Sequence, residues 1–400
     1  MNWKVIDFID GKLRHTEDGM NSWVYYEYYS EKNKIVNRGY VNTILDAEEL
    51  QLLSDRVYPM PFPVDNRWLA GDYDSSEILI MHSSAIDMTG DTFATDRASF
   101  KRYKNILKKF DYYVGRTVWE ANRVVPQFAE NCNQMDEIHT QSNFCKQAFE
   151  DSGVTVPIHV LPNGIDLNTF YPEVDETFSF GKNIDKRFKF FGIADCHMQN
   201  TYRKGIDVLL YSYLKEFSYN DDTILILKTN LAKDRFNFMY EKILKELHKT
   251  EKEAPPIHIL PNAPLSYADM RKIYNAVQCY IMPTRGEGFG IPYAEALACQ
   301  TPVIATDYGG HRDFLTPANS YLIECDGWTI VGEEQFGDLY HYHGLEFPEP
   351  SIESSTAQMR KVYDGYYQAK KLAKKGFENI HNNYNAKETT HNFLNQLETI

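Results

Sequence analysis

Residues 283–310 read PTRGEGFGIPYAEALACQTPVIATDYGG, and this stretch decides the fold of the chain. The four residues before it, CYIM at 279–282, form a short apolar run that predicts a buried strand. A glycine-rich loop follows, and Pro292 then suits the first turn of a helix, where a missing N–H costs little. Residues 302–306, PVIAT, predict the next strand. A strand, loop, helix and strand in this order indicate a parallel sheet with helices on its faces.

The loop and the helix of this stretch carry polar groups that suit a ligand. Glycines in the loop let backbone N–H groups approach a bound molecule, and the start of the helix attracts anions. Glu287 lies in the loop and Glu295 lies about one turn into the helix, so both carboxylates can face one molecule. Such groups suit a ligand with several hydroxyls and a phosphate, which describes a nucleotide-sugar. A structural turn with two solvated glutamates is the alternative, and the position between strand and helix disfavours it.

Strands and helices alternate through the rest of the second half, which indicates βαβ units. The elements predicted there are strands at 188–193, 223–228 and 257–260, and helices at 205–217, 236–249 and after Ser266, with Asp269 completing a capping pattern. The first half is less regular. Its predicted elements are strands at 77–82 and 157–161, a helix at 142–151 and a loop at 118–131 broken by Pro126. The last 35 residues are polar, rich in tyrosine and predicted to be helical.

Composition describes a globular chain of two domains. The chain has 400 residues, of which 43% are hydrophobic and 24% charged. It contains 42 Lys and Arg against 56 Asp and Glu, for a net charge of −14. This charge argues against nucleic acid as a general partner, because such binding needs a basic face.

The cysteine pattern and the N-terminus favour a cytoplasmic location. The six cysteines are scattered without a C-x-x-C pair, so we expect neither a zinc site nor a disulfide framework. Residues 1–14 lack the apolar core of a signal peptide, and no apolar run reaches the length of a membrane span. We therefore expect a protein that is soluble or peripherally associated with a membrane. The basic segment KRYKNILKK at 101–109 could contact an anionic membrane, although a solvated helix face is the favoured interpretation.

Four motifs resemble those of a known family. The E-x7-E spacing of Glu287 and Glu295 resembles the signature of retaining glycosyltransferases of the GT-B fold, specifically family 4. The other three similar segments are YRKGID at 202–207, VLPNGIDLNTFY at 160–171, and Trp119-Glu120 with Pro126 followed by HTQSNFCKQAF at 139–149. The resemblance covers the chain from about residue 110 to 330, and the first 100 residues match poorly.

The resemblance implies a role for each matching residue. Glu295 would bind the ribose hydroxyls of the donor nucleotide, and Glu287 would contact hydroxyls of the transferred sugar. Arg203 and Lys204 would bind the diphosphate and stabilise the leaving group, whose negative charge grows in the transition state. Backbone groups would hold the sugar and the phosphate, from Gly288, Phe289, Gly290 and Ile291. One departure is that many relatives carry a Gly-Arg segment after the first strand of the second domain, where this chain reads GIAD at 192–195. Arg203 could take over that role.

Single residues in the first domain are candidates of lower specificity. His82 closes a predicted strand where the family often has a histidine in the catalytic cleft, and a core histidine is an equal alternative. Gly19, within DGMNSW, could belong to a glycine loop that faces the diphosphate, although the usual glycine pair is missing. For His139 and for His311 in the second domain, we expect surface positions.

Four residues of the second domain could lie near the base of the nucleotide. Lys228 ends a predicted strand and Asn230 follows it, so both would lie near the nucleotide, and Asn262 and Ala263 could hold the base through backbone contacts. Purely structural roles in loops explain these residues equally well.

The resemblance implies an α/β chain with the GT-B fold, in which two Rossmann-like domains face each other across a cleft. Residues 1–175 would form an acceptor-binding domain and residues 176–375 a domain that binds the nucleotide-sugar. Residues 376–400 would form a helix that crosses back to the N-terminal domain.

The implied activity is that of a hexosyltransferase of the EC 2.4 type. It would move a hexose from a donor of the GDP-mannose or UDP-glucose type to a hydroxyl of a carbohydrate or lipid-linked glycan. The anomeric configuration would be retained, and the chain would need neither a cofactor nor a metal, because Arg203 and Lys204 supply positive charge. The alternatives are a sugar-nucleotide epimerase, a phosphorylase on the same fold, and a non-catalytic protein that binds nucleotide-sugars.

Overall fold

The computed structural model describes residues 24–29, 35–41, 57–60, 78–82, 112–175, 177–196, 201–261, 265–336 and 342–399. The chain forms two compact units, residues 1–166 together with 384–400, and residues 167–383. The sequence places these divisions at 175 and 375. Within the described residues, no helix combines the length and the apolar character that crossing a bilayer requires. Gly19 and the basic segment 101–109 lie outside the described residues.

The first unit contains a sheet of parallel strands. Two strands, β1 (Val24–Tyr29) and β2 (Ile35–Val41), pair antiparallel outside it. The sheet runs in sequence order from β3 (Val57–Met60) through β4 (Ile78–His82), β5 (Tyr112–Arg116) and β6 (Glu137–Thr140) to β7 (Ile158–Val160). The described helices between its strands are α1 (Pro126–Cys132) and α2 (Asn143–Glu150).

The helix α1 corrects the prediction of a loop over residues 118–131. It begins at Pro126, which occupies the first turn, where no N–H is needed for the helical ladder. The proline therefore starts a helix and does not break one. Phe128 and Cys132 on this helix are fully buried, so packing onto the sheet also favours the helical conformation.

The second unit is a larger parallel sheet covered by helices. Its strands are β8 (Phe188–Ala194), β9 (Thr223–Thr229), β10 (Ile257–Leu260), β11 (Cys279–Met282), β12 (Val303–Thr306) and β13 (Tyr321–Ile323). The first helices of this unit are α3 (Lys182–Asp185), α4 (Thr201–Lys204), α5 (Ile206–Glu216), α6 (Lys233–Glu246), α7 (Tyr267–Ala276) and α8 (Ile291–Ala298). The predicted alternation of strands and helices is confirmed, and every adjacent pair of strands in this sheet is parallel.

An antiparallel pair and three long helices complete the chain. A short 3₁₀ turn spans Gly310–Asp313. The later elements are β14 (Cys325–Ile330), α9 (Glu333–Phe336), β15 (Glu346–Pro350), α10 (Ile352–Asp364), α11 (Tyr366–Asn383) and α12 (Ala386–Glu398). The last of these, α12, belongs to the first unit. There Phe393 contacts His139 with 5.7 Å between ring centres.

The strand order of the second sheet fixes where a ligand can bind. The order is β10-β9-β8-β11-β12-β13, so β8 and β11 are neighbours at the centre of the sheet. On its other side β8 pairs with β9, and β11 pairs with β12. The chain thus winds outward in opposite directions from the β8–β11 pair. In sheets of this order, ligands occupy the crevice at the carboxyl ends of the two strands that flank the reversal. The loops after Ala194 and Met282 therefore form the expected binding edge.

Packing of the helices onto this sheet is close. Glu295 is the one charged residue of α8, and every residue of this helix except Pro292 is buried. Gly376 of α11 lets that helix approach α8, because a Cβ there would lie 2.5 Å from Leu297 Cδ2. Ser266 caps α7 as predicted, accepting a hydrogen bond from Asp269 N at 3.1 Å.

Gly205 lies between α4 and α5, where its backbone packs closely against Pro283 at the start of the glycine-rich loop. Its φ is 67°, and a Cβ added there would lie 1.9 Å from the carbonyl oxygen of Pro283. We predict that Gly205→Ala lowers the free energy of unfolding by about 2 kcal/mol or more, because it adds left-handed strain to a backbone clash. Urea titration of the full chain measures this. Gly327→Ala is the matched control, since a Cβ there meets nothing within 4 Å. Equal stability of the two variants would contradict this account of Gly205.

Candidate functional site at the carboxyl edge of the second sheet

The site lies where the chain after β8 meets the loop after β11. Arg203 and Lys204 end the short helix α4, and Glu287 lies in the glycine-rich loop that begins after Met282. Arg203 Nη1 donates to the carbonyl oxygen of Gly286 at 2.9 Å. Arg203 and Gly286 are 83 residues apart in the chain, and the β8–β11 pairing brings their segments together at the expected edge.

Glu287 is held by two cations. Lys204 Nζ lies 2.7 Å from Glu287 Oε1, and Arg203 Nη1 lies 3.8 Å from the same oxygen. All three side chains are at most 15% exposed. Burial by itself would raise the pKa of Glu287, but Lys204 and Arg203 outweigh burial and lower it. Glu287 is therefore an ionised acceptor for hydroxyl groups, with two positive charges beside it.

The backbone around Glu287 is fixed by the turn after β12. Gly310 N donates to the carbonyl oxygen of Glu287 at 2.7 Å. Gly309 has a φ of 105°, and a Cβ there would lie 3.0 Å from the same oxygen. The two glycines that end the motif stretch thus allow the turn to pack directly against the loop.

Helix α8 begins immediately after the loop. Gly290 is its N-cap with a φ of 89°, and Ile291 and Pro292 form its first turn. A left-handed residue at this point favours glycine, and a Cβ would lie 2.7 Å from the ring of Tyr293. The positive end of the helix therefore points to the edge that carries Glu287, which suits a negatively charged ligand.

Glu295 differs from Glu287 in its surroundings. It is 7% exposed, and Tyr274 donates its hydroxyl to Glu295 Oε2 at 2.9 Å. Burial raises the pKa of Glu295 to about 8, and the tyrosine hydrogen bond only partly offsets this. The two glutamates of the motif are thus in different protonation states at neutral pH, one charged and one carrying a proton.

His311 lies inside this site, and the expectation of a surface position is wrong. Its side chain is fully buried, and its Nε2 lies 2.7 Å from the carbonyl oxygen of Thr306. Since that oxygen can only accept, Nε2 carries the proton. Burial lowers the pKa of His311, so the imidazole is neutral. The 3₁₀ turn places its ring 4.7 Å from the ring of Tyr293.

Lys228 and Asn230 lie at the end of β9 and bind neighbouring parts of the same edge. Asn230 Nδ2 donates to Asp195 Oδ1 at 2.6 Å, and Asn230 Oδ1 accepts from Cys196 N at 2.6 Å. Lys228 Nζ donates to the carbonyl oxygen of Pro261 at 3.3 Å, and burial lowers its pKa. Contact of either residue with a nucleotide stays a prediction. Asn262 and Ala263 lie outside the described residues.

In the first unit, His82 is the last residue of β4, and its role stays a prediction. Its backbone partner in the sheet is Arg116, the last residue of β5. The expectation that His139 is on the surface is wrong. It is fully buried in β6, with Nε2 at 2.5 Å from Glu137 Oε1. Alternation along the strand brings these two residues to the same face of the sheet.

Several buried polar atoms at the carboxyl edge of the first sheet have no hydrogen-bond partner among the described residues. They include all three guanidinium nitrogens of Arg116, Oε1 of Gln141 and Oδ1 of Asn163. Arg116 is 3% exposed and lies over the ring of Phe393, 4.9 Å from its centre. Buried polar groups are normally hydrogen-bonded, so an unsatisfied cluster at a sheet edge suits a polar ligand.

Sequence reasoning missed Arg285 and Tyr274. Arg285 is 5% exposed, although it lies in a loop, and it binds carboxylates on two other elements. Tyr274 lies 21 residues before the glutamate that it binds. A lone arginine or tyrosine without a motif spacing carries no signal of such contacts. The position of Arg285, directly before Gly286-Glu287-Gly288 in the motif, is the one sequence feature that could have indicated a role for it.

The second unit is similar in sequence to known glycosyltransferases. Residues 196–330 match the family model described as "Glycosyl transferases group 1". A relative from Corynebacterium glutamicum is the "GDP-mannose-dependent monoacylated alpha-(1-6)-phosphatidylinositol monomannoside mannosyltransferase", 28% identical over 41% of this chain and 42% of that protein. The chain spans about half the length of the curated relatives it matches.

Solved structures show the same fold at low identity. The sucrose-phosphate synthase of Thermosynechococcus elongatus has a TM-score of 0.57 and 13% identity, over 81% of this chain and 73% of that one. Anabaena HepE, solved in complex with UDP and glucose, has a TM-score of 0.57 and 11% identity, over 81% and 78%. At such identities the likeness concerns the fold.

The protonation of Glu295 predicts a pH dependence of stability. Between the ordinary pKa of 4.5 and about 8, the folded chain keeps a proton that the unfolded chain loses. The folded state is then destabilised as the pH rises through this window. We predict that the melting temperature of wild type falls relative to that of Glu295→Gln by about 5 °C or more from pH 5 to pH 8.

Thermal melts of both proteins across this range measure the effect. Glu241→Gln, at an exposed glutamate of the same unit, is the control and should follow wild type at every pH. A constant difference between wild type and Glu295→Gln from pH 5 to pH 8 would show that Glu295 is ionised in the folded chain.

Proposed function

We propose that this chain, which has the GT-B fold and matches the family model of group 1 glycosyltransferases over residues 196–330, transfers a hexose from a nucleoside-diphosphate sugar to an acceptor hydroxyl. The observation that carries the proposal is the cluster of Glu287, Lys204 and Arg203 at the carboxyl edge of the second sheet. It combines an acceptor for sugar hydroxyls with two cations for a diphosphate. The donor is of the GDP-mannose or UDP-glucose type, a choice supported by the names of the relative and of the solved structures.

In this mechanism the donor spans the edge from Glu295 to Lys204. Glu295 contacts the ribose, and Glu287 contacts hydroxyls of the sugar. As the bond between the sugar and the diphosphate breaks, negative charge grows on the leaving phosphate oxygen. Lys204 and Arg203 stabilise that charge without reorganising, because Glu287 and the loop backbone already hold them. The two cations take the place that a divalent metal has in other transferases, so the reaction proceeds without a metal.

The acceptor binds the first unit in this proposal. The unsatisfied polar atoms of Arg116, Gln141 and Asn163 support this placement, since they offer one cation and two amide groups at a sheet edge. A carbohydrate or glycan that carries a phosphate or carboxylate would supply the anion that Arg116 lacks among the described residues. Peripheral contact with a membrane is a further part of the proposal, because a lipid-linked acceptor would require it.

The donor site is tested by binding in the presence of EDTA. We predict that one nucleoside diphosphate raises the melting temperature of the chain with EDTA present, since a ligand of the folded state stabilises it by mass action. Glu295→Ala should weaken this binding. Lys204→Ala should lower the turnover number by about 10²-fold or more, as expected for loss of a charge-stabilising group. Lys215→Ala removes a Lys–Glu pair elsewhere in the same unit and should retain full turnover. Wild-type activity in both Glu295→Ala and Lys204→Ala would show that the assignment of the donor site is wrong.

The reaction itself is tested by proton NMR of the product formed from a matching donor and a panel of acceptors. We predict transfer with the anomeric configuration of the donor retained, and faster transfer to acceptors that bear a phosphate or carboxylate. An inverted product would overturn retention. Conversion of the donor sugar without any acceptor would indicate an epimerase, and dependence on inorganic phosphate would indicate a phosphorylase. Nucleotide binding with no turnover would indicate a binding protein.

A further inference from the structure

Arg285 lies in the glycine-rich loop two residues before Glu287, and its guanidinium makes four hydrogen bonds with other described residues. Its Nη1 and Nη2 each donate to one carboxylate oxygen of Asp207 at 2.9 Å. Its Nε donates to Glu349 Oε2 at 2.8 Å, and Nη1 also donates to the carbonyl oxygen of Tyr202 at 2.8 Å. The guanidinium lies 4.1 Å from the centre of the Tyr202 ring. Four of its five N–H groups are therefore used within the chain.

These partners bracket the two cations of the site. Tyr202 comes directly before Arg203 and Lys204, and Asp207 lies in the first turn of α5 directly after them. The backbone N–H of Arg285 also donates to the carbonyl oxygen of Arg203 at 2.7 Å. Arg285 thus holds the cation segment, residues 202–207, at its beginning, its middle and its end.

The contacts of Arg285 need a guanidinium. Burial by itself lowers the pKa of Arg285, but Asp207 and Glu349 outweigh burial and raise it, so the charge is permanent. A fork of two parallel N–H groups matches the two oxygens of one carboxylate, and the planar face stacks on an aromatic ring. A lysine could keep the charge but could reach only part of this set.

We propose that Arg285 is a positioning residue, which fixes the cation segment to the glycine-rich loop so that Lys204 lies where the leaving diphosphate gains charge. This inference rests on the proposed function and extends it to a residue that makes its contacts inside the chain. Its effect passes through Lys204, because Lys204 is the cation nearest to Glu287 and lies between the anchored ends of the segment. A displacement of about 1 Å at a reacting centre can cost roughly 10²-fold in rate.

The test is a double-mutant cycle with Arg285→Met and Lys204→Ala. We expect Arg285→Met to lower kcat by about 10- to 100-fold, while the affinity for the nucleoside monophosphate changes less than about threefold. We expect the double variant to be no slower than Lys204→Ala alone, because both changes remove the same contribution. Arg285→Lys should recover part of the lost kcat. If Arg285→Met does not fold, Arg285→Lys and Asp207→Asn enter the cycle in its place.

The control is Arg360→Met in the same unit. Arg360 also binds a carboxylate, with Nε 2.5 Å from Glu216 Oε1, and lies over the ring of Phe217 at 4.7 Å. Among the described residues, its other partners are Asp221, Asp364 and Tyr363, all outside the cation segment and the loop. This control should lose stability as Arg285→Met does but keep its kcat. Equal losses of kcat in Arg285→Met and Arg360→Met would show that the ion pairs of Arg285 have a structural role only.

Two further results of the kinetic measurements overturn the proposal. One is a double variant in which the losses of kcat multiply, and the other is Arg285→Met with wild-type kcat. A second readout needs no transferase activity, namely the ratio of affinities for nucleoside diphosphate and monophosphate. Arg285→Met should lower this ratio as Lys204→Ala does, and an unchanged ratio again overturns the proposal. If wild type transfers no sugar, the proposed function fails, and this ratio still decides the role of Arg285.

Discussion

Lys204 and Arg203 meet Glu287 around one carboxylate oxygen, and the geometry of the whole edge depends on this meeting. A carboxylate that is mostly removed from water is costly unless cations and hydrogen bonds compensate it. The cations come from the chain after β8 and the carboxylate from the loop after β11. Their attraction therefore ties together the two loops at the point where the sheet reverses its winding. The ion cluster acts as the closing contact of the binding edge as well as a part of the site.

Backbone geometry makes this contact possible. Gly205 and Gly309 both have positive φ, and both lie where a Cβ would press on a carbonyl oxygen of the glycine-rich loop. Close approach of three backbone segments leaves little room for side chains, so the charged groups that remain point in a restricted set of directions. The result is a site whose charges are ordered before a ligand arrives, which is the condition for electrostatic stabilisation without reorganisation.

The order of strands and helices in the second unit could be predicted from the sequence, because both faces of its parallel sheet are covered. Strands such as β8 and β9 are then nearly continuous apolar runs, and the helices between them keep a clear period. Helix α1 could not be predicted, since Pro126 has the same appearance in the sequence whether it starts a helix or breaks one. The order of the strands within the sheet could not be predicted, because hydrophobic periodicity indicates which segments are strands and not which strands are neighbours.

For the site, the family resemblance implied that Glu287 and the two cations serve one donor, and the structure brings Lys204 within hydrogen-bond distance of Glu287. Burial could not be predicted for His311, whose neighbours are set by a turn that the sequence does not mark. Arg285 was missed because its carboxylate partners, Asp207 and Glu349, lie 78 and 64 residues away in the chain. A local sequence pattern predicts which residues lie on one face of a helix or strand. It does not predict contacts such as those of Arg285, which depend on how distant segments of the chain pack together.

The pairing of β8 with β11 has a consequence for how the chain folds. Phe190 aligns with Cys279 in that pair, so the central contact of the sheet closes a long stretch of intervening chain. Contacts between distant parts of a chain form slowly, because the entropy of closing the loop must be overcome before they gain any energy. The binding edge lies at the carboxyl ends of these same two strands. Competence to bind a ligand therefore arises only after this long-range pairing has formed, so that a nucleotide in the refolding mixture would report its formation.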